Sequence, residues 1–308
     1  MSDLLVIANG LFARGFAGAR WRRVCRRLRE TFGSDFEIYY TSGPGDAVQR
    51  MRAALRDGCS WVAAAGGDGI FNEVVNGFFD SGIPIRTGAS LSFLPCGSGN
   101  DWIRTLDVAH ARLDSVDALV HAEIRLIDVG LAQFRNLRGS SEQRMFINVA
   151  EAGVGGSFLS RRHRRTPLLN RRFSYRLEAI VEALRFPPVV LRLAFDDSNQ
   201  VSTGRLLSLI VANGRYFGGG MHCAPMARPD DGLLEIITLG DFHAAEVLLK
   251  IRKFISGAYL DDPKVRHRSA VVVEAVSDET VFLEMDGELV GTLPARFEIL
   301  PRALPIRA

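Results

Sequence analysis

No apolar run in this chain of 308 residues approaches the roughly 20 residues that a membrane-spanning helix needs. Cysteine is scarce as well. Cys25, Cys59, Cys96 and Cys223 lie far apart with no Cys-x-x-Cys pair, a spacing that fits neither a zinc knuckle nor a disulfide framework and suggests a reducing compartment. The six histidines, His110, His121, His163, His222, His243 and His267, show no i, i+3 or i+4 pairing, so a histidine-built metal site is not expected. An excess of one charge is also missing: a formal net charge of +3 is too small to argue for nucleic acid by itself. The start, Met1-Ser2-Asp3, has no basic stretch and no small-residue cleavage site, and the apolar run at residues 4–8 reads as a first strand rather than a signal peptide. These absences predict a soluble, cytoplasmic chain that reaches any membrane from outside it.

What is present is an ordinary globular composition, 47% hydrophobic and 24% charged. The length exceeds what one core usually serves, so two domains are expected. Strands are expected at residues 4–8, 37–41, 61–65, 91–94 and 124–129. Between them, Ala47, Val48, Met51, Ala54 and Leu55 line one face of a helix that Gly58 can terminate. Alternation of this kind implies a mostly parallel sheet covered by helices on both faces. After Gly130 the pattern changes to strands joined by polar turns, at 190–195, 206–211, 270–276, 281–285 and 289–293, which argues for an antiparallel sandwich or barrel. Helical character is expected at 161–186 and 242–256.

The strongest chemical signal is the buried-strand pattern Trp61-Val62-Ala63-Ala64-Ala65 opening through Gly66-Gly67-Asp68-Gly69 into Ile70-Phe71-Asn72-Glu73 and Val74-Val75-Asn76-Gly77. Glycines between a strand and a helix leave backbone N–H groups open to close approach by an anion, so this is a candidate phosphate cradle. No lysine follows the loop, which excludes Walker A, and the spacing is not the dinucleotide fingerprint. Asp68 would repel a phosphate unless a cation such as Mg2+ sat between them. A second unit of the same construction follows, where the run at 91–94 leads through Pro95-Cys96-Gly97-Ser98-Gly99-Asn100-Asp101 into an expected helix at 102–106. Both loops would lie along one edge of a parallel sheet, where α/β folds bind ligands.

These two motifs resemble the nucleotide-binding motifs of the diacylglycerol kinase catalytic domain, which sphingosine and ceramide kinases share. The resemblance continues in order through Leu126-Ile127-Asp128-Val129-Gly130, Asn148 with Gly153-Val154-Gly155, Ala224-Pro225-x-Ala227 to Asp231-Gly232-Leu233-Leu234-Glu235, Asp286-Gly287-Glu288 and Phe297-Glu298-Ile299-Leu300-Pro301. It implies an α/β plus β fold, with an N-terminal open α/β ATP-binding domain over residues 1–129 and a C-terminal antiparallel β-sandwich domain over 130–295. Residues 296–308 would pack back onto the first domain, and the active site would lie in the cleft between the two.

The resemblance also implies roles. ATP contacts fall on Asn9, Thr41, Gly66, Gly67, Asp68, Gly69, Ile70, Phe71, Asn72, Glu73, Gly97, Ser98 and Asn100. Asp68, Asp101 and Asp128 match positions that hold nucleotide-bound Mg2+. A further cation site, structural in kind, matches Arg228, Asp231 and Leu233, with the arginine ligating through its carbonyl. Asp286 and Glu288 match the region that supplies the catalytic base. Two departures stand out: Asn9-Gly10-Leu11-Phe12 keeps the asparagine of the family's first loop and loses its proline and serine, and Ile70 replaces a common threonine.

Plainer readings compete at several positions. Asp286-Gly287 is also an ideal two-residue hairpin turn, Asp128 a strand-end acid, and Asp231 a turn residue after Pro229. The run Arg161-Arg162-His163-Arg164-Arg165 with Arg171-Arg172 reads either as a solvated face or, with Leu168, Leu169, Phe173 and Tyr175 interleaved, as a patch for the inner membrane surface. No recognised nucleic-acid motif accompanies it. The expectation is therefore direct phosphoryl transfer from ATP to a lipid hydroxyl, with diacylglycerol, phosphatidylglycerol, a sphingoid base or ceramide as acceptor and with Asp286 or Glu288 taking the proton. The alternatives are an NAD kinase-like phosphotransferase and a nucleotide-binding regulator without turnover. A homodimer is an allowed state.

Overall fold

A computed structural model describes residues 4–10, 18–97, 99–106, 116, 119, 122–163, 171–198 and 200–308. The chain divides into two units, one made of residues 1–129 with 300–308 and the other of residues 130–299.

In the first unit, Ser90–Pro95, Trp61–Gly66, Leu4–Asn9 and Phe36–Thr41 lie side by side in that order, all parallel. Trp61–Gly66 is buried along its whole length, as its unbroken apolar run demands of a strand covered on both faces. Leu4, Val6 and Ala8 meet Trp21, Val24 and Leu28 of the helix Gly18–Phe32. The helices Asp46–Arg56 and Asp68–Phe78 pack on each other and on the sheet. The first of them buries Ala47, Met51, Ala54 and Leu55. It ends in a Schellman arrangement, where the Gly58 N–H donates to the Leu55 carbonyl at 3.2 Å and Cys59 to Ala54 at 2.9 Å, with Gly58 at φ +96°. Gly77 explains itself by packing: a Cβ there would stand 2.6 Å from the Met51 Cβ and 2.8 Å from the Val48 carbonyl oxygen. Because strand order reverses between Leu4–Asn9 and Trp61–Gly66, the loops after these strands open at a topological switch point.

The strand expected to stop at residue 129 runs instead from Ile124 to Asn136, and its second half pairs antiparallel with Ser141–Phe146. Gly130 does not terminate it. The Phe146 ring occupies the space a Cβ would need, with Cζ 2.1 Å from that position, so the glycine serves packing rather than a turn. The short strand expected at 289–293 is the start of a strand of 20 residues, Glu288–Arg307. Its last residues belong to the first unit, where Ile306 pairs with Leu91 and Arg307 donates to the Ser90 hydroxyl at 3.0 Å.

The second unit is antiparallel. Its order is Val265–Ala270, Leu234–Leu239, Ser208–Ala212, Val149–Gly153, Phe282–Met285, the beginning of Glu288–Arg307, Val272–Val276, Val189–Phe195 and Val201–Leu206. Two expected strands split. The run at 206–211 breaks at Leu207, whose N–H donates to the Leu239 carbonyl at 2.8 Å, so the halves take different partners. The run at 270–276 breaks at Val271, whose N–H is taken by the Asp196 carboxylate at 2.8 Å. One core gathers Phe134, Phe146, Leu191, Leu193, Val273 and Phe297, and another gathers Ile237, Phe242, Val247 and Tyr259. Helices run over Val154–His163, Arg171–Arg185 and Ala244–Ser256, each packed on the next.

Candidate functional site

The two glycine loops of the first unit touch backbone to backbone. A Cβ on Gly97 would lie 2.5 Å from the Gly67 Cα, and the N–H groups of Cys96 and Gly97 both donate to the Gly66 carbonyl at 2.7 Å. No side chain larger than hydrogen fits at that crossing. Gly67 is the N-cap of the helix Asp68–Phe78 and is extended, with no side-chain cap on the helix start. The first-turn N–H groups and the positive end of the helix dipole are therefore the features an anion would meet. Ile70 supplies the wall, its Cγ2 only 2.5 Å from where a Gly66 Cβ would be.

Several residues matched to nucleotide contacts have internal partners. Phe71 is fully buried against Phe93, ring centroids 4.9 Å apart, and Asn72 is fully buried with its carbonyl and side-chain oxygens accepting from Asn76. Glu73 accepts the Ala47 N–H at 3.2 Å and so ties the two neighbouring helices together. Asn9 ends the first strand opposite Thr41, whose hydroxyl accepts the Gly10 N–H at 3.3 Å. Asn100 sits in the left-handed region at φ 56° and donates to the Gly97 carbonyl at 3.2 Å, which closes the second loop. Ser98 lies outside the described residues, as do Leu11 and Phe12 of the first loop.

The acids matched to Mg2+ differ from one another. Asp68 Oδ1 accepts the Trp102 N–H at 3.2 Å, and its Oδ2 lies 2.9 Å from the Cβ position of Gly99, so this carboxylate bridges the two glycine loops. Asp101 is buried and lies 3.9 Å from the Arg104 guanidinium. Asp128 is fully buried and accepts the Arg302 N–H at 2.6 Å, which fastens the C-terminal segment. Among the described residues no group of three or more His, Cys, Asp or Glu gathers into a metal-holding cluster. Magnesium that arrives on phosphates and keeps its waters needs only one or two carboxylates, and Asp68 at the meeting of the loops fits that demand. In the second unit, Asp231 Oδ1 accepts the Leu233 N–H at 3.1 Å and Arg228 approaches Asp230 at 3.6 Å.

Asp286 and Gly287, at φ +49° and +86°, form the two-residue turn between Phe282–Met285 and Glu288–Arg307. The Asp286 carboxylate does more than turn the chain. It accepts three backbone N–H groups, from Ile147 at 2.9 Å and from Asn148 and Val149 at 3.0 Å each. An ionised carboxylate, acceptor-only, suits three converging donors. Glu288 is half-exposed and paired with Arg144. Sequence reasoning missed both Arg144 and this amide ladder, and backbone amides carry no sequence signature. It also missed Glu151, a lone acid in the apolar run around Val149–Gly153. That side chain is buried against the Ser208 hydroxyl at 2.6 Å and the Gly156 N–H at 2.9 Å. Burial pushes its carboxyl up to about 7, against the pull of those hydrogen bonds.

The arginine run behaves as a paired face where it is described. Arg161 meets Glu182 at 3.2 Å and Arg162 meets Glu178 at 2.6 Å, acids supplied by the next helix. Arg164, Arg165, Leu168 and Leu169 lie outside the described residues.

Residues 3–132 match the family model of the diacylglycerol kinase catalytic domain, and residues 148–308 match that of the YegS C-terminal NAD kinase beta sandwich-like domain. A protein of Chromohalobacter salexigens named "Probable lipid kinase YegS-like" is 28% identical over 93% of this chain and 88% of its own length. A protein of Staphylococcus haemolyticus named "Diacylglycerol kinase" is 28% identical over 90% of this chain and 79% of its own. Among solved structures, a diacylglycerol kinase from Bacillus anthracis superposes with a TM-score of 0.72 at 21% identity, covering 99% of this chain and 96% of that one. The yeast NADH kinase complexed with NADH shares the fold more distantly, with a TM-score of 0.54 at 9% identity, covering 98% of this chain and 82% of that one.

Proposed function

The chain belongs to the family that joins a diacylglycerol kinase catalytic domain to a YegS-type C-terminal domain, and from that premise we propose that this kinase transfers the γ-phosphate of ATP to the hydroxyl of a lipid. The observation that carries the reading is the backbone crossing of Gly67 and Gly97 beside an uncapped helix start, with Asp68 between the loops. Phosphoryl transfer asks mainly for positioning and for charge compensation around the phosphates. The N–H groups at the start of Asp68–Phe78 serve the first need, and the closed second loop fixes where the phosphates lie. Mg2+, when bound, offsets phosphate charge, and Asp68 with Asp101 would hold it.

In the second unit, Glu288 takes the proton of the acceptor hydroxyl and Asp286 positions the hairpin that carries it. Support for this division comes from their partners. Asp286 is committed to three backbone amides, whereas Glu288 is half-exposed and paired with Arg144, which can orient it. The acceptor class is tested with labelled ATP and a panel of diacylglycerol, phosphatidylglycerol, a sphingoid base and ceramide, run beside NAD. Label appearing in a lipid supports the proposal. Label appearing in the dinucleotide alone moves the assignment to the NAD kinase-like alternative.

A further inference from the structure

A kinase with a lipid acceptor works at its substrate's bilayer, and the two arginines of the run whose partners are described, Arg161 and Arg162, face Glu182 and Glu178. The helix Ala244–Ser256 offers a different surface. Its inner face is settled by Val247 and Phe254, packed among Phe242 and Tyr259, and by Lys250, bridged to Asp262 at 2.6 Å. Its outer face is apolar where a solvated helix would be polar: Leu249 is 84% exposed, Leu248 57% and Ile255 38%. At 100° per residue, these three fall on one side of the helix together with Ala245, Arg252 and Lys253. Glu246, the acid of this helix, is held by Lys264 at 2.7 Å and caps the His243 N–H.

We propose that the Leu248, Leu249, Arg252, Lys253 and Ile255 face of this helix is the element that docks the protein on an anionic phospholipid bilayer. Charge complementarity selects this occupant. Two cations stand among three exposed apolar side chains, whose leucines can enter the acyl boundary while Arg252 and Lys253 reach lipid phosphates. The inference rests on the lipid-kinase reading for its purpose, though not for its test.

The test is flotation of the full chain with vesicles of phosphatidylcholine alone and of phosphatidylcholine mixed with phosphatidylglycerol. Leu248→Ser with Leu249→Ser is expected to weaken binding to the mixed vesicles at least about tenfold, since exposed leucines lose their apolar destination. Arg252→Glu with Lys253→Glu is expected to remove the preference for anionic vesicles, at about fivefold or more per charge. All four side chains are solvent-facing, so the leucine variant should melt close to wild type, and the charge variant, which also removes the pull of Lys253 on Asp262 at the helix end, somewhat lower. Either double variant binding as tightly as wild type would overturn the proposal. Concentration-dependent self-association that the leucine variants abolish, without vesicle binding by wild type, would also overturn it by assigning the face to a second copy of the chain. Phosphorylation of soluble short-chain forms of the four acceptor lipids separates the two readings: both variants should match wild type, and failure of wild type on all four would count against the lipid-kinase reading while leaving the flotation result to decide the helix.

Discussion

Changing Asp286 to Asn keeps the size of the side chain and removes its charge and one acceptor oxygen, so the amide nitrogen must face at least one of the N–H groups of Ile147, Asn148 and Val149. A hydrogen bond to a charged group contributes about 1.5 to 3 kcal/mol, and an orphaned N–H costs about 1 to 3 kcal/mol. The expected loss for Asp286→Asn is therefore about 3 kcal/mol. For a unit of the size of residues 130–299 this lowers Tm by about 6 to 12 °C. Glu288→Gln breaks a pair with Arg144 that is partly open to solvent, which costs about 1 kcal/mol or less. Calorimetry on both variants, with hydrogen exchange at Ile147, Asn148 and Val149, measures the contrast. If Glu288 handles the proton, its variant should lose turnover by about 10²- to 10⁴-fold with little change in Tm. Asp286→Asn melting at the wild-type temperature, with the Ile147, Asn148 and Val149 amides all still protected, would refute the anchoring role.

Two further outcomes follow from the geometry. Gly97→Ala places a Cβ 2.5 Å from the Gly67 Cα, and because the obstacle is backbone the two loops must separate; a cost of about 1 to 3 kcal/mol is expected, read as a lower Tm and a raised KM for ATP with a smaller effect on kcat. Glu151 folds with its carboxyl pushed up by burial from an ordinary 4.5 to about 7, so its favourable contribution is complete below pH 4.5 and is lost as pH rises through 7. Each pH unit inside that window costs about 1.4 kcal/mol, on the order of 3 kcal/mol in all, and Glu151→Gln should flatten the stability profile there in urea titrations.

The α/β half of the fold was legible because its signals are local. An unbroken apolar run such as Trp61–Gly66 announces a strand covered on both faces, and a glycine loop feeding an amphipathic run announces the helix Asp68–Phe78. Signals failed where a residue answers to a distant partner. Gly130 looks like the end of a strand until the Phe146 ring is seen on top of it, and Leu207 looks like mid-strand until its N–H is seen bonding to Leu239. At the candidate site, the two loops could be read from sequence, while their backbone contact could not. The Asp-Gly-Glu hairpin could be read as a turn, but the amides that grip Asp286 come from a segment about 140 residues earlier and carry no side-chain mark. The arginine run shows the same limit, since the acids that neutralise Arg161 and Arg162 arrive from the following helix.

The central claim is that triphosphate rests on the glycine crossing of the first unit, and amide chemical shifts during titration with ATP and Mg2+ address it most directly. The account predicts saturable shifts at Gly67, Gly69, Ile70 and Gly97 that vanish in Gly97→Ala. Saturable shifts confined to other residues, with those four amides unmoved, would contradict it.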